Sequence, residues 1–264
     1  MRPNNRTTVA RLSALALTIA LEIAASGIAS GQTPELPFDV GERLRYRVTV
    51  GKIGVGEGEM SVSGPVAIRG TETLVLRSEL HAKLGFLKSS QVAASWIDPT
   101  RMATLRYEKR ARGAFVHDEE QEVELYPEDR RWEDERGREG HSPTSAPLDE
   151  LSFIYYLRTL PLDADTADHL VRHYDPARNP VVVRVLGRDT LRTSAGTFAT
   201  IIVEMRVRDA RRYGGEGVIR LYLSDDANRL PVRIESAVPV LGSTVLTLES
   251  YTRSTQHLAA SPPK

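Results

Sequence analysis

Apolar and polar residues alternate with a period of two along most of this chain, and this alternation constrains the fold more than any other feature. The pattern is clearest between residues 217 and 253, where three alternating runs are separated by two turn-forming segments. Alternate side chains of an extended strand point to opposite faces, so each run predicts a strand with one apolar face. Three such runs joined by short turns are typical of an antiparallel meander. The apolar positions of the first two runs are Ile219, Leu221, Leu223, Leu230, Val232 and Ile234.

The same rhythm occupies most of the chain upstream. Residues 43–50, RLRYRVTV, place four apolar side chains on one face and polar ones on the other, and residues 55–63 return after a glycine-containing turn. Turn signals recur at the regular spacing that is typical of a sandwich, barrel or half-barrel. We therefore expect about a dozen strands.

One segment has helical spacing instead. Asp149 can cap the free N–H groups of the run ELSFIYYLRTL, and Pro161 ends it. The run covers about three turns and is almost entirely apolar, so it is expected to be buried against the sheet. The fold class is therefore mainly β: a single curved antiparallel sheet or half-barrel of about a dozen strands, with one short helix packed on its concave side.

The first thirty residues resemble an export signal. Three arginines precede an apolar run, residues 12–21, and small residues follow up to Ser30. The run is too short to span a bilayer, and Glu22 interrupts its continuation. We expect a signal peptide at 1–30, a leader at 31–37, a single β-rich domain at 38–253 and a disordered tail at 254–264. The mature protein is then periplasmic and not an integral membrane protein.

Composition excludes several classes of function. Basic and acidic residues are equal in number, 35 each, so the net positive charge that recruits nucleic acid is missing. The chain has no cysteine, which excludes disulfides, thiol nucleophiles and thiolate metal sites. We expect no nucleic-acid partner and a fold that is stabilised by its core alone.

Catalytic and cofactor motifs are absent from the sequence. No Gly-x-Ser-x-Gly motif is present, and the alternating glycines Gly54, Gly56 and Gly58 lack the helix and lysine of a phosphate-binding loop. We expect those glycines to relieve a bulge or a close approach between strands. His169 and His173 have metal-ligand spacing but no obvious third ligand. The sequence predicts no catalytic residue, no metal and no cofactor, and a hydrolase-type enzyme is the weakest alternative.

Large apolar and aromatic side chains fall on apolar faces of separate elements. A curved sheet with a helix at its mouth could leave a cavity between them, although the same side chains could simply fill the core. The residues expected to line such a cavity are Tyr46, Leu76, Trp96, Tyr107, Phe153, Tyr155 and Tyr222.

Residues 116–140 are unusually rich in charge and have few side chains to bury apart from Trp132. This composition suggests a long hairpin that projects from the body of the protein. Such a hairpin could bind a protein partner in the cell envelope.

Five segments together resemble a family of bacterial exported proteins, domain of unknown function 3108. They are residues 37–62, beginning PFDVGERLRY; LRYEKR at 105–110; LDELSFIYYLRTLPL at 148–162; VRVLGRDTLRTSAGTFAT at 183–200; and LYLSDDANRLPVRIES at 221–236. The resemblance implies a periplasmic or envelope location and a mainly antiparallel β fold, and it carries no catalytic residue. The final meander is also similar, at the level of fold only, to periplasmic lipoprotein carriers, whose half-barrel holds acyl chains.

These observations favour a non-catalytic binding or carrier module for an apolar or lipid-like ligand in the cell envelope. The alternative is a structural or interaction module that presents the charged segment 116–140 to an envelope protein.

Overall fold

The alternating segments form the strands of one antiparallel sheet, as the computed structural model of the chain shows. The model describes residues 36–114, 118–163, 167–209, 214–238 and 242–253, and this part of the chain contains fourteen strands. Their bounds are Arg43–Val50 (β1), Ile53–Ile68 (β2), Thr71–Leu84 (β3), Leu87–Asp98 (β4), Ala103–Gly113 (β5), Glu119–Tyr126 (β6), Arg131–Asp134 (β7), Glu139–His141 (β8), Ala167–Leu170 (β9), Val181–Thr193 (β10), Gly196–Asp209 (β11), Gly215–Ser224 (β12), Pro231–Val238 (β13) and Gly242–Thr252 (β14).

The sheet is a meander whose first and last strands lie next to each other at its centre. Its order is β8-β7-β6-β5-β4-β3-β2-β1-β14-β13-β12-β11-β10-β9, so the first strand pairs with the last. The sheet does not close, and its two edges are the short strands β8 and β9. The mainly β fold with a single helix confirms the prediction from the sequence.

The predicted alternation places the charges of β1 and β2 on the outer face. Leu44, Tyr46 and Val48 are buried, whereas the arginines between them are exposed. Arg45 Nε lies 3.2 Å from a carboxylate oxygen of Glu59 on β2. An exposed pair of this kind contributes at most about 1 kcal/mol, so the buried face provides most of the stability.

The one α-helix, α1, comprises Glu150–Leu157 and is capped as predicted. The Asp149 side chain accepts hydrogen bonds from the backbone N–H groups of Leu151 and Ser152, and the Ser152 hydroxyl accepts one from the Asp149 N–H. This reciprocal arrangement is a capping box. The helix has two turns rather than the three expected, because the chain turns at residues 158–160.

Successive turns of an antiparallel meander lie at alternate ends of the sheet. We call the end that holds the β1–β2 and β3–β4 turns, residues 51–52 and 85–86, the tip end. The opposite end, the helix end, holds residues 36–42 and the β12–β13 turn at 225–230. The helix contacts β4 and β5 near their helix-end termini, and it also contacts residues 37–42 and Asn228. The sheet therefore curves around the helix, which lies on its concave side.

The charged segment at 116–140 does not project from the sheet as its composition suggested. Residues 119–126 and 131–141 form β6, β7 and β8, which extend the sheet to one of its edges. Val123 and Leu125 of β6 are fully buried, and the Trp132 ring packs edge-to-face on Tyr174 at 5.8 Å. Alternating apolar residues within the charged run were sufficient to pair it with β5. Residues 115–117 lie outside the described part.

The described residues belong to one compact unit. Within these residues, no helix combines the length and apolar character needed to cross a bilayer. The predicted signal peptide, the first five residues of the leader and the predicted tail lie outside the described residues, so those boundaries stay predictions.

Candidate functional site

The start of the helix is fixed by a buried carboxylate. Asp149 is fully buried, and it accepts hydrogen bonds from the hydroxyls of Ser95 at 2.8 Å and Thr104 at 2.7 Å. Burial raises the pKa of Asp149, and the hydrogen bonds from Ser152, Thr104 and Ser95 oppose that rise. The helix N-terminus is thereby joined to β4 and β5 through groups that have no access to water.

The next residue joins the helix to β5 and to the segment that follows β9. Glu150 accepts a hydrogen bond from the Tyr107 hydroxyl on β5 and pairs with Arg178, which follows β9. Its carboxylate also lies 3.5 Å from Lys109 Nζ. Burial alone would raise the pKa of Glu150, but the Lys109 and Arg178 cations hold it well below its ordinary value. Glu150 is therefore ionised and links β5 to the segment after β9 through the helix.

The end of the helix is fixed by a buried ion pair. Both terminal nitrogens of Arg158 lie 2.7 Å from the carboxylate oxygens of Glu42, and both side chains are almost fully buried. Arg158 also donates to the carbonyl oxygens of Pro37 and Asn228. Burial alone would lower the pKa of Arg158, yet Glu42 raises it above its ordinary value. These bonds join residues 37–42, the helix and the β12–β13 turn at the helix end.

A buried histidine packs against the same helix. The His173 ring lies nearly parallel to Phe153 at 6.4 Å, and its Nδ1 accepts a hydrogen bond from the Asp175 N–H. Its Nε2 has no hydrogen-bond partner in the described part of the chain. Burial, reinforced by the Arg178 cation, lowers the pKa of His173 to about 4. The imidazole is therefore neutral in the folded protein at neutral pH.

This pKa predicts acid sensitivity. Because an unfolded histidine has a pKa near 6.5, the unfolded state takes up a proton below that pH and the folded state does not. Stability is expected to be complete above pH 6.5 and to fall by about 3 kcal/mol as the pH drops to 4. His173→Asn keeps an acceptor for Asp175 and should flatten this part of the curve, which urea unfolding at several pH values would measure. His169→Asn, on an exposed residue of β9, is the control. Parallel curves for wild type and His173→Asn would contradict the assignment.

Apolar side chains on the concave face are accessible towards the tip end. Val50, Leu80, Ala82 and Ile219 pack against the main core cluster, yet each stays partly exposed. Leu44, Tyr46 and Tyr155 of the same cluster are at most 1 % exposed. Val50, Leu80, Ala82 and Ile219 therefore define a candidate binding site on the concave face, which we call the apolar mouth.

The structure separates the seven residues predicted to line a cavity. Tyr46, Leu76, Tyr107 and Tyr155 belong to the main core cluster, and Phe153 belongs to a second cluster between the helix and β10–β12. Trp96 and Tyr222 lie on the outer face, where their rings contact the guanidinium groups of Arg106 and Arg233. A ligand on the concave face would not contact Trp96 or Tyr222. The four residues of the apolar mouth were not predicted as a site, although their inward position follows from the alternation.

A second depression separates β6 and β7 from the strands of the other edge. It has a volume of about 700 Å³ and is lined mainly by charged side chains, among them Arg136, Arg178 and Asp209. Gln121 and Tyr174 also line it, and the Gln121 amide donates to the Tyr174 hydroxyl at 2.7 Å. Within the described residues, no group of three or more His, Asp or Glu side chains could hold a metal ion. His169 is exposed and His173 is buried, so these two histidines are in different environments.

The chain is similar to several solved structures. A beta-barrel-like protein of domain of unknown function DUF1849 from Brucella abortus is 12% identical, with a TM-score of 0.52 over 82% of this chain and 99% of that one. A "putative lipoprotein" from Parabacteroides distasonis is 11% identical, with a TM-score of 0.31 over 82% and 97% of the two chains. A "putative exported protein with YmcC-like fold" from Bacteroides fragilis is 14% identical, with a TM-score of 0.32 over 83% and 98%.

The first of these likenesses shows the fold alone, since the identity is low. No curated protein matches the chain. Residues 45–249, from the third residue of β1 to the last strand, match the family described as "Protein of unknown function (DUF3108)". The chain therefore belongs to the DUF3108 family, as the five sequence segments indicated.

Proposed function

We propose that this protein is a non-catalytic binding or carrier module of the periplasm that takes an apolar or lipid-like ligand into the apolar mouth. The observation that carries the proposal is the unequal burial of the concave face. Leu44, Tyr46 and Tyr155 are at most 1 % exposed, whereas Val50, Leu80, Ala82 and Ile219 on the same face stay partly exposed.

Three elements close the helix end. The helix and residues 37–42 are joined there by the Arg158–Glu42 pair, and the Phe38 ring packs edge-to-face on Tyr155 at 4.9 Å. Phe198, near the β10–β11 turn, lies 6.2 Å from Tyr251 at the end of β14. A ligand would therefore enter from the tip end.

The lining favours an apolar ligand. The apolar mouth presents valine, leucine, alanine and isoleucine side chains on the concave face. Sites for hydrophobic molecules are typically concave, mainly aliphatic or aromatic, and have few polar groups. Gly58 lets the Leu80 side chain pack closely over β2, because a Cβ at that position would lie 2.6 Å from Leu80 Cδ2.

An uncharged fluorescent probe tests the proposal. N-phenyl-1-naphthylamine should bind the mature protein with a rise in fluorescence, and Ala82→Glu should weaken that binding at least about tenfold, because it places a charge in the mouth. Lys83→Glu, the adjacent exposed residue on the outer face, should leave the binding unchanged. A titration with each variant measures both effects, and circular dichroism verifies that each is folded.

Two results would count against the proposal. One is the absence of probe binding to the wild-type protein, and the other is equal binding by Ala82→Glu and wild type. If the wild-type protein binds the probe, mass spectrometry of lipids that co-purify with it would identify the ligand class.

The periplasmic location is supported by the signal-like pattern of residues 1–30 and is tested by fractionating cells that express the full chain.

The alternative, display of the charged segment to an envelope protein, has less structural support. Many of its charges pair within the sheet, as Arg138 does with the buried Asp134 at 2.5 Å and Arg110 with Glu120 at 2.9 Å. Residues 127–140 also include β7 and most of β8, so their deletion would remove an edge of the sheet.

A further inference from the structure

The tip end carries most of the large apolar side chains that are exposed. Seven such residues occur in the described part of the chain, and four of them lie at the ends of the β1–β2 and β3–β4 hairpins. Phe86 occupies the β3–β4 turn and is 91% exposed, and Ile53 next to the β1–β2 turn is 57% exposed. The other two are Leu84 and Leu87. A fully exposed phenylalanine at a turn has no packing role, so this concentration at one end indicates a contact surface.

The same hairpin ends are basic. Lys52, Lys83 and Lys88 flank the apolar residues, and all three are exposed. Residues 50–54 and 81–90 contain no aspartate or glutamate. At a membrane surface, anionic headgroups lie outside the hydrocarbon. Lysines beside exposed apolar side chains fit this arrangement, because the lysines can contact the headgroups while the apolar side chains enter the hydrocarbon.

A basic trough continues from these tips along the outer face. It has a volume of about 840 Å³, and its basic lining includes Lys83, Lys88 and Arg112. Two carboxylates, Glu57 and Glu249, also line it, and Glu249 lies 2.6 Å from Arg47 Nη2. The trough therefore keeps an excess of positive charge beside the apolar tips.

We propose that the tip end docks on the surface of an anionic phospholipid bilayer, with Phe86, Leu84, Leu87 and Ile53 inserted among the acyl chains. Lys52, Lys83 and Lys88 then contact the headgroup phosphates. Apolar insertion combined with basic residues is the recognised arrangement for reversible binding to anionic membranes. A protein partner could also cover exposed apolar residues. Its binding would not by itself explain why lysines flank these apolar residues and why residues 50–54 and 81–90 contain no aspartate or glutamate.

This docking would place the apolar mouth against the membrane, yet it does not depend on a ligand inside the sheet. Two adjacent residues separate the two proposals. Ala82→Glu should weaken the binding of N-phenyl-1-naphthylamine in solution and leave vesicle binding intact. Lys83→Glu should do the reverse, so that either proposal can fail without the other.

Co-sedimentation of the mature protein with vesicles provides the test. The wild type should bind vesicles of equal phosphatidylglycerol and phosphatidylcholine at least about tenfold more tightly than pure phosphatidylcholine vesicles, and salt should weaken the binding. Phe86→Ser should reduce binding at least about tenfold. Leu186→Ser, which removes an exposed leucine from β10, should have no effect. All these positions are exposed, so the variants should fold.

A spectroscopic readout gives the location of the contact. Phe86→Trp should shift its fluorescence to shorter wavelength when anionic vesicles are added, as expected for an indole that enters a bilayer. The proposal is overturned if wild type does not bind the mixed vesicles, if Phe86→Ser binds as wild type does, or if phosphatidylglycerol makes no difference.

Discussion

Glu42→Gln is expected to lower the free energy of unfolding by about 3–5 kcal/mol, because it leaves the Arg158 guanidinium charged and buried without its counter-ion. The wild-type pair is bidentate, with both contacts at 2.7 Å, and each side chain is almost inaccessible to water. Removing one partner of such a pair costs far more than the pair itself contributes, since the remaining charge loses both water and partner. Urea unfolding followed by circular dichroism would measure the loss.

An exposed pair on the same sheet provides the control. Glu59→Gln removes the partner of Arg45 on the outer face and should cost no more than about 1 kcal/mol. Replacing both members of the buried pair, with Glu42→Leu and Arg158→Met, should recover part of the loss, although the carbonyls of Pro37 and Asn228 would then lack their donor. Equal effects of Glu42→Gln and Glu59→Gln would show that the helix end is not sealed as described.

Gly56→Ala is expected to destabilise the protein by about 3 kcal/mol, an unusually large effect for one methyl group. A Cβ at position 56 would lie 1.8 Å from the carbonyl oxygen of His81 and 2.8 Å from its carbonyl carbon. These are backbone atoms of the paired strand β3, so no side-chain rotation can relieve the contact. The two strands would have to separate next to the apolar mouth.

Gly54→Ala, two residues earlier on the same strand, is the matched control. A Cβ at position 54 would have no atom within 4 Å. This substitution should change stability by no more than about 0.5 kcal/mol, and thermal unfolding of both variants makes the comparison. Similar losses at the two positions would exclude the close approach of β2 and β3 as the reason for Gly56.

Local features of the fold could be predicted from the sequence because they depend on neighbouring residues. The strands follow from alternation and the helix from Asp149 and its apolar run. The pairing of β1 with β14 could not be predicted, since it joins residues about 200 positions apart and leaves no local pattern. For the same reason the charged run at 116–140 was wrongly expected to project. The contact of Trp132 with Tyr174, which helps to hold that edge, is long-range.

The candidate site could be predicted only in part. Asp149 was recognised as a cap, but its burial among Ser95 and Thr104 depends on the fold of distant strands. Trp96 was expected to line a cavity on the inner face, whereas the structure turns Ser95 inward to reach Asp149. Both faces of β4 are largely buried there, so the alternation could not decide between them.

The central claim is that an apolar ligand enters the concave side of the sheet at the tip end. Methyl NMR spectra recorded during a titration with N-phenyl-1-naphthylamine test it most directly. The account predicts shifts for the methyl groups of Val50, Leu80 and Ile219, with none for Val171 and Leu186, which are exposed elsewhere. Shifts confined to the exposed methyl groups, or no shift at any of the five, would contradict it.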